Sequence, residues 1–182
     1  ICQDNLCQGF KETFCRPCDI HFIGVWDTVS FLKTINFFDN KLSSNVHNAY
    51  HALALEEERT GFIPYIFDAA NHQQTLEQVW FPGAHADVGG GYNATGLSDI
   101  SLRWMLDKAM RSGLKVRSEY DILVQPNPLA KIYKSPTGLW NLLPKRKRLL
   151  AEGSMIHNSV LTRKQHDHRY NPRLPANYEL AL

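Results

Sequence analysis

The run Ile20-His21-Phe22-Ile23-Gly24-Val25-Trp26 constrains the fold more than any other stretch of this chain. It is almost continuously apolar, β-branched and aromatic, without the in/out alternation of a half-buried strand. That is the pattern of a strand covered on both faces, as in a parallel sheet flanked by helices. It stops at Asp27-Thr28-Val29. A second run, Gln78-Val79-Trp80-Phe81, stops at Pro82-Gly83 and leads into His85, Asp87 and the triplet Gly89-Gly90-Gly91. Proline and glycine end the strand, and glycines permit tight turns. The expectation is an α/β fold with an acid and a histidine at two strand ends, the histidine on a glycine-hinged loop. In open α/β sheets such positions hold the functional groups. The plainer alternatives are that Asp27 caps a turn and that His85 is a surface histidine.

The remaining pattern fills in around these runs. Residues 1–18 are polar, with a short helix around Asn5–Phe14. Val46 to Arg59 reads as a helix, because Val46, Ala49, Tyr50 and Leu53 recur at helical spacing and Glu56, Glu57 and Glu58 close the run. Phe62–Phe67 is extended, and Pro64 keeps it out of a sheet centre. Asn71–Glu77 reads as polar loop. Ser98 or Asp99 caps a helix over Ile100–Arg111, which Gly113 stops. Residues 121–153 carry Pro126, Pro128, Pro136 and Pro144 and read as irregular. Lys145-Arg146-Lys147-Arg148 reads as a solvated basic loop, with anionic lipid headgroups or nucleic acid as the alternatives. Ile156–Arg163 reads as a last short helix, and Tyr170–Pro175 as a tail over the surface.

At 182 residues the chain suffices for one domain with a core, and 1–182 reads as a single domain. A net charge of +2 gives no reason to expect nucleic acid. No apolar run reaches the length of about 20 residues that a membrane helix needs. The start lacks both a secretory signal pattern and an initiator Met; the expectation is a piece of a longer, cytoplasmic chain. Cys2, Cys7, Cys15 and Cys18 fall within the first eighteen residues. Cys15 and Cys18 have C-x-x-C spacing, which zinc or redox sites use. The expectation is reduced cysteines without such a role, which fits a cytosolic setting.

Asp27 and His85 lie in the chain order of an α/β-hydrolase acid and histidine. The histidine would act as general base, and the aspartate would fix its tautomer and stabilise the imidazolium. His85 and Asp87, with Asp27, could alternatively ligate a hard cation.

Three blocks carry a family resemblance: Phe22-Ile23-Gly24-Val25-Trp26-Asp27-Thr28-Val29, His51-Ala52-Leu53-Ala54-Leu55-Glu56-Glu57-Glu58-Arg59, and Val79 through Tyr92. They resemble successive motifs of the α/β-hydrolase family once labelled a domain of unknown function (DUF2235). That family includes the catalytic domain of Tle1-type phospholipase effectors of bacterial type VI secretion, and many fungal homologues. Ile156-His157-Asn158-Ser159-Val160 with Arg163, and Tyr170–Pro175, resemble its closing block. The resemblance implies a parallel sheet flanked by helices and serine-dependent hydrolysis of lipid esters, with a lipid or small ester substrate and peripheral membrane contact. It implies no cofactor. By position Asp27 matches the triad acid. His85 is the choice for the triad histidine, with His157 the runner-up.

The family's serine stands in a G-x-S-x-G elbow before the strand that ends at the acid. None of the 26 residues before Asp27 is a serine. Gly96-Leu97-Ser98-Asp99-Ile100 lacks the last glycine and follows His85. The chain therefore resembles the C-terminal portion of the hydrolase, with its early strands and elbow upstream, and alone is expected to be inactive. After Asp27-Thr28-Val29 it has Phe31-Leu32-Lys33 where the family commonly has a small residue and glycine. The alternative function is a non-catalytic fragment that serves as a scaffold or interaction module.

Overall fold

A computed structural model describes residues 2–16, 18–30, 40–68, 71–119, 123–133 and 144–182. Phe31-Leu32-Lys33 lie outside the described residues. Five strands form one sheet in the order β1-β3-β5-β6-β7: Ile20–Trp26, Val46–Ala54, Thr75–Phe81, Ser154–His157 and Tyr178–Ala181. Every neighbouring pair is parallel. A separate antiparallel ribbon pairs β2 (Val29–Ser30) with β4 (Ile63–Pro64). Helices among the described residues include α1 (Cys2–Phe14), α2 (His85–Gly89), α3 (Ser98–Arg111) and α4 (Asn158–His166).

The parity of the strands sorts their side chains into two cores. Ala52, Ala54, Val79 and Phe81 face one side, where Trp104 and Met105 of α3 cover them. Trp104 meets the rings of Tyr50 and Phe81 edge-on, with centroids 5.9 and 5.4 Å away. Gly24 belongs to this packing. A Cβ there would lie 2.6 Å from the Met105 sulfur, so the Met105 side chain packs directly over the bare backbone of Gly24. Leu53, Leu55, Trp80 and Ile156 face the other side, against Val160 of α4 and the chain at Leu150, Tyr170 and Leu174. Fully buried side chains such as Leu53, Phe81 and Ile156 each contribute about 1.5–3 kcal/mol.

The helix expected over Val46–Arg59 is a strand, β3, with a turn after it. Its spacing fits a helix face, but Tyr50 through Leu55 are buried without interruption. β3 lies between β1 and β5, so both its faces are core, and continuous burial replaces alternation. Alanine's helix preference, a fraction of a kcal/mol per residue, is overridden by that packing. β5 starts at Thr75, inside the stretch read as polar loop. The helix expected at Ile156 divides at His157: Ser154–His157 is β6 and the helix starts at Asn158. The C-terminal segment adds a strand, β7, which its exposed residues at Tyr178–Leu180 did not signal. Ser98 and Asp99 lie inside α3 and do not cap it. Asp99 instead accepts hydrogen bonds from Thr95 Oγ1 (3.0 Å) and the Gln125 amide (3.0 Å), tying down the following loop.

Candidate active site

Asp27 ends β1 with a φ of +40°, a left-handed backbone rare for a residue with a side chain. Its amide donates to Ala52 O on β3 (2.7 Å), which holds the turn in place. The side chain is completely buried. Oδ1 accepts from the Ala54 amide (2.9 Å) and from Arg148 Nη1 (2.5 Å). Oδ2 accepts from Arg148 Nη2 (3.1 Å) and lies 2.7 Å from His85 Nδ1. Burial alone would push this carboxyl up. The hydrogen bonds from His85, Arg148 and the Ala54 amide, with the Arg148 charge, outweigh it and hold the group below the ordinary aspartate value. Asp27 is thus a fixed carboxylate.

His85 begins α2, a five-residue helix, rather than riding on the expected flexible loop. Two acids after β3 fasten the turn that delivers it. Glu56 accepts from the Gly83 amide, and Glu57 Oε2 accepts from the His85 amide (3.3 Å). Gly83 has φ +117°, and a Cβ there would stand 2.5 Å from the Asp87 Cβ. The turn therefore requires glycine on both counts. Phe62, just before β4, meets the imidazole edge-on at 5.3 Å. With Nδ1 directed at Asp27, the carboxylate selects the tautomer protonated there. Nε2 is then the basic nitrogen, on a side chain 34% exposed. This arrangement can take a proton from a hydroxyl and hold the resulting imidazolium against a buried carboxylate.

Arg148 was not legible as part of the site. The run Lys145–Arg148 reads as a solvated loop, yet the Arg148 side chain is only 5% exposed. Besides gripping both oxygens of Asp27, it donates to Ala54 O (2.6 Å) and Phe62 O (2.8 Å). Its guanidinium also lies 6.0 Å from the Trp80 ring. Lys145, Arg146 and Lys147 remain exposed as expected. On the far side of Asp27, His51 is fully buried. Burial pushes its imidazole down to about 4, and its Nε2 accepts from the Thr28 amide (3.2 Å). It is therefore neutral, leaving Arg148 as the cation behind the acid.

The other candidates are placed elsewhere. His157 stacks on Phe81 (4.6 Å), and its Nδ1 accepts from the Ser159 amide (3.2 Å) and hydroxyl (2.8 Å), capping α4. Burial pushes it down to about 4. Asp87 turns back to accept from the Ala84 amide (2.9 Å) and the Tyr133 amide (3.1 Å). Among the described residues no group of three His, Cys, Asp or Glu converges as metal ligands. The Ser98 and Ser154 hydroxyls donate to the carbonyls of Thr95 and Ala151. Cys7, Cys15 and Cys18 are exposed free thiols. Among the described residues no helix is long and apolar enough to cross a membrane.

Residues 3–108, more than half of the chain, match the family described as "T6SS, Phospholipase effector Tle1-like, catalytic domain". The chain is also similar to the uncharacterized protein YEL023C of Saccharomyces cerevisiae, 43% identical over 47 residues. That match covers 23% of this chain and 7% of the yeast protein's length. No solved structure matches.

Proposed function

From the premise that the chain belongs to the Tle1-like phospholipase effector catalytic-domain family, we propose that it carries the acid and the base of a serine-dependent lipid-ester hydrolase. The observation that carries this reading is the 2.7 Å contact between Asp27 Oδ2 and His85 Nδ1, on an acid held by Arg148 and two strand ends. In the reaction, His85 Nε2 takes the proton from a serine hydroxyl as its oxygen bonds to the ester carbonyl carbon. Collapse of the tetrahedral intermediate expels the alcohol, which takes that proton from the imidazolium. Water repeats the sequence on the acyl-serine and releases the fatty acid. Asp27 stays ionised throughout and stabilises the imidazolium.

The serine and the oxyanion donors belong, on this reading, to an upstream part of the same α/β-hydrolase domain, of which residues 1–182 are the C-terminal portion. Two features support it. Leu6, Phe10 and Phe14 line one side of α1 and are 77, 60 and 72% exposed, a stripe left open by the described residues. β1 is an edge strand, and beside it Phe22, Trp26, Leu102 and Met105 line an open apolar cleft of about 520 Å³. A further parallel strand with its helix would cover both and end next to Asp27.

The test is lipid-ester hydrolysis by the full-length protein and its Asp27→Asn, His85→Ala and His157→Ala variants. Loss of about 10⁴-fold in kcat is expected for the first two, with His157→Ala retaining activity in proportion to its folded fraction. Activity that survives His85→Ala and is abolished by His157→Ala in a folded protein would overturn the assignment. A full-length protein with no hydrolysis on any ester would favour the non-catalytic scaffold instead.

A further inference from the structure

Arg148 is the buried member of the basic run Lys145–Arg148, and it fixes where the other three point. The loop is fastened at three places. Arg148 grips Asp27, the Arg146 amide donates to Glu58 O (2.8 Å), and Lys145 forms a β-bridge with Arg59. Lys145, Arg146 and Lys147 are therefore presented outward on a held backbone. The next residue, Leu149, is 73% exposed. An apolar side chain thus stands in solvent directly after the three outward-facing cations.

Two clefts meet along this loop, sharing Lys147 and Arg148. One, of about 200 Å³, adds Arg146, Leu149, Phe62, Ile63 and Pro64. The other, of about 400 Å³, adds Arg169 and Arg173 from the segment after α4. Their carboxylates are mostly engaged. Glu57 pairs with Arg59 at 2.8 Å. Glu56 accepts from Tyr170 Oη (2.6 Å) and the Gly83 amide. Asp167 lies 3.6 Å from the exposed Arg169. Glu58 lines the larger cleft together with Lys147, Arg169 and Arg173. The rim is positive, although the whole chain has a net charge of only +2.

We propose that this face, formed by Lys145–Lys147, Leu149, Arg169 and Arg173, docks on an anionic bilayer surface. The cations sit among the headgroups and Leu149 enters the acyl boundary beside them. The mixture selects a bilayer over other polyanions: phosphates of a nucleic acid satisfy the cations but offer Leu149 nothing. Phe62 links the two functions, because it lines the smaller cleft and touches the His85 ring. Docking would set the imidazole at the membrane boundary. The inference rests on the lipid-ester reading for the purpose of docking, while its test reads binding without hydrolysis.

The experiment is sedimentation of the full-length protein with sucrose-loaded vesicles of non-hydrolysable ether lipids. One set is phosphatidylcholine alone and the other is equal parts phosphatidylcholine and phosphatidylglycerol. Binding is expected to the anionic set only and to weaken at high salt. Each cation contributes about fivefold in partitioning, so Lys145→Ala/Arg146→Ala/Lys147→Ala should lose about a hundredfold. Leu149→Asn should weaken binding to vesicles without altering binding to a short single-stranded DNA. All these positions are exposed, and circular dichroism confirms that each variant is folded. Equal binding to both vesicle sets, an undiminished triple variant, or tighter binding to the DNA than to anionic vesicles would each overturn the proposal. Loss of hydrolysis with vesicle binding intact would count against the catalytic reading alone.

Discussion

Arg148→Met tests how the acid is held. The side chain is similar in length, so the change removes the charge and the donors while leaving most of the volume. Removing one partner of a buried ion pair costs about 3–5 kcal/mol, because the other charge stays buried and unmatched. Here the unmatched group is Asp27, at 0% exposure. The carbonyls of Ala54 and Phe62 also lose their Arg148 donors. Against a total stability of about 5–15 kcal/mol for an ordinary domain, the variant should sit near the edge of folding. Adding Asp27→Asn should restore part of the loss, since a neutral amide no longer needs the guanidinium. The double variant should be more stable than the sum of the two single effects by about 2–3 kcal/mol. Acidity gives a second signature. In the wild type Asp27 lies below the ordinary 3.8, so its contribution is present above that value and is lost as pH falls through its folded value. Without Arg148, burial should place the folded value above 3.8, so protonation restores stability as pH falls. Urea midpoints of the full-length proteins at about pH 7 and about pH 4 should therefore show the gap between wild type and Arg148→Met narrowing on acidification. Strict additivity in the cycle together with an unchanged gap would refute the claim that Arg148 acts through the Asp27 charge.

Burial raises Glu56 from the ordinary 4.5 to about 7, against the hydrogen bonds from Tyr170 and Gly83. The folded state therefore binds more protons across that window, and stability should fall as pH rises through it. Glu56→Gln should flatten that part of the stability–pH curve, and an unchanged slope would count against the assignment. Gly83→Ala should destabilise by about 1–3 kcal/mol, read as a lower urea midpoint, and should lower hydrolysis in the folded fraction by displacing His85. Purified residues 1–182 should hydrolyse a short-chain ester no faster than their His85→Ala control. Hydrolysis that disappears in that control would show a nucleophile or activated water within this chain.

How far the site could be read in advance depended on how local each signal was. Asp27 and His85 were visible because each follows an apolar run at a break in the pattern, and the structure places them together. β3 was misread for the reason it is central: burial on both faces leaves no period to find, and Ala49, Ala52 and Ala54 tilted the reading towards helix. Arg148 reaches Asp27 across 121 residues of sequence, and nothing in a basic tetrad says which member turns inward. Glu56 and Glu57 were read as the end of a helix. Their hold on Gly83 and His85 follows from the turn after β3 lying beside the turn after β5, a consequence of strand order rather than of local sequence. β7 was silent because its residues at Tyr178–Leu180 are exposed.

The position of β1 at the sheet edge, with Asp27 at its tip, makes the proposed centre divisible. Asp27, Ala54, His85 and Arg148 all lie on one side of that edge, so the orientation of the acid and base does not depend on whatever strand lies beyond. On the proposed reading, a full-length chain cut ahead of β1 would yield one piece with the acid and base and another with the nucleophile. Their reunion along a single strand boundary would be reported by the return of turnover. The fold thus offers a natural seam for a split-protein sensor, with the edge strand as its recognition element.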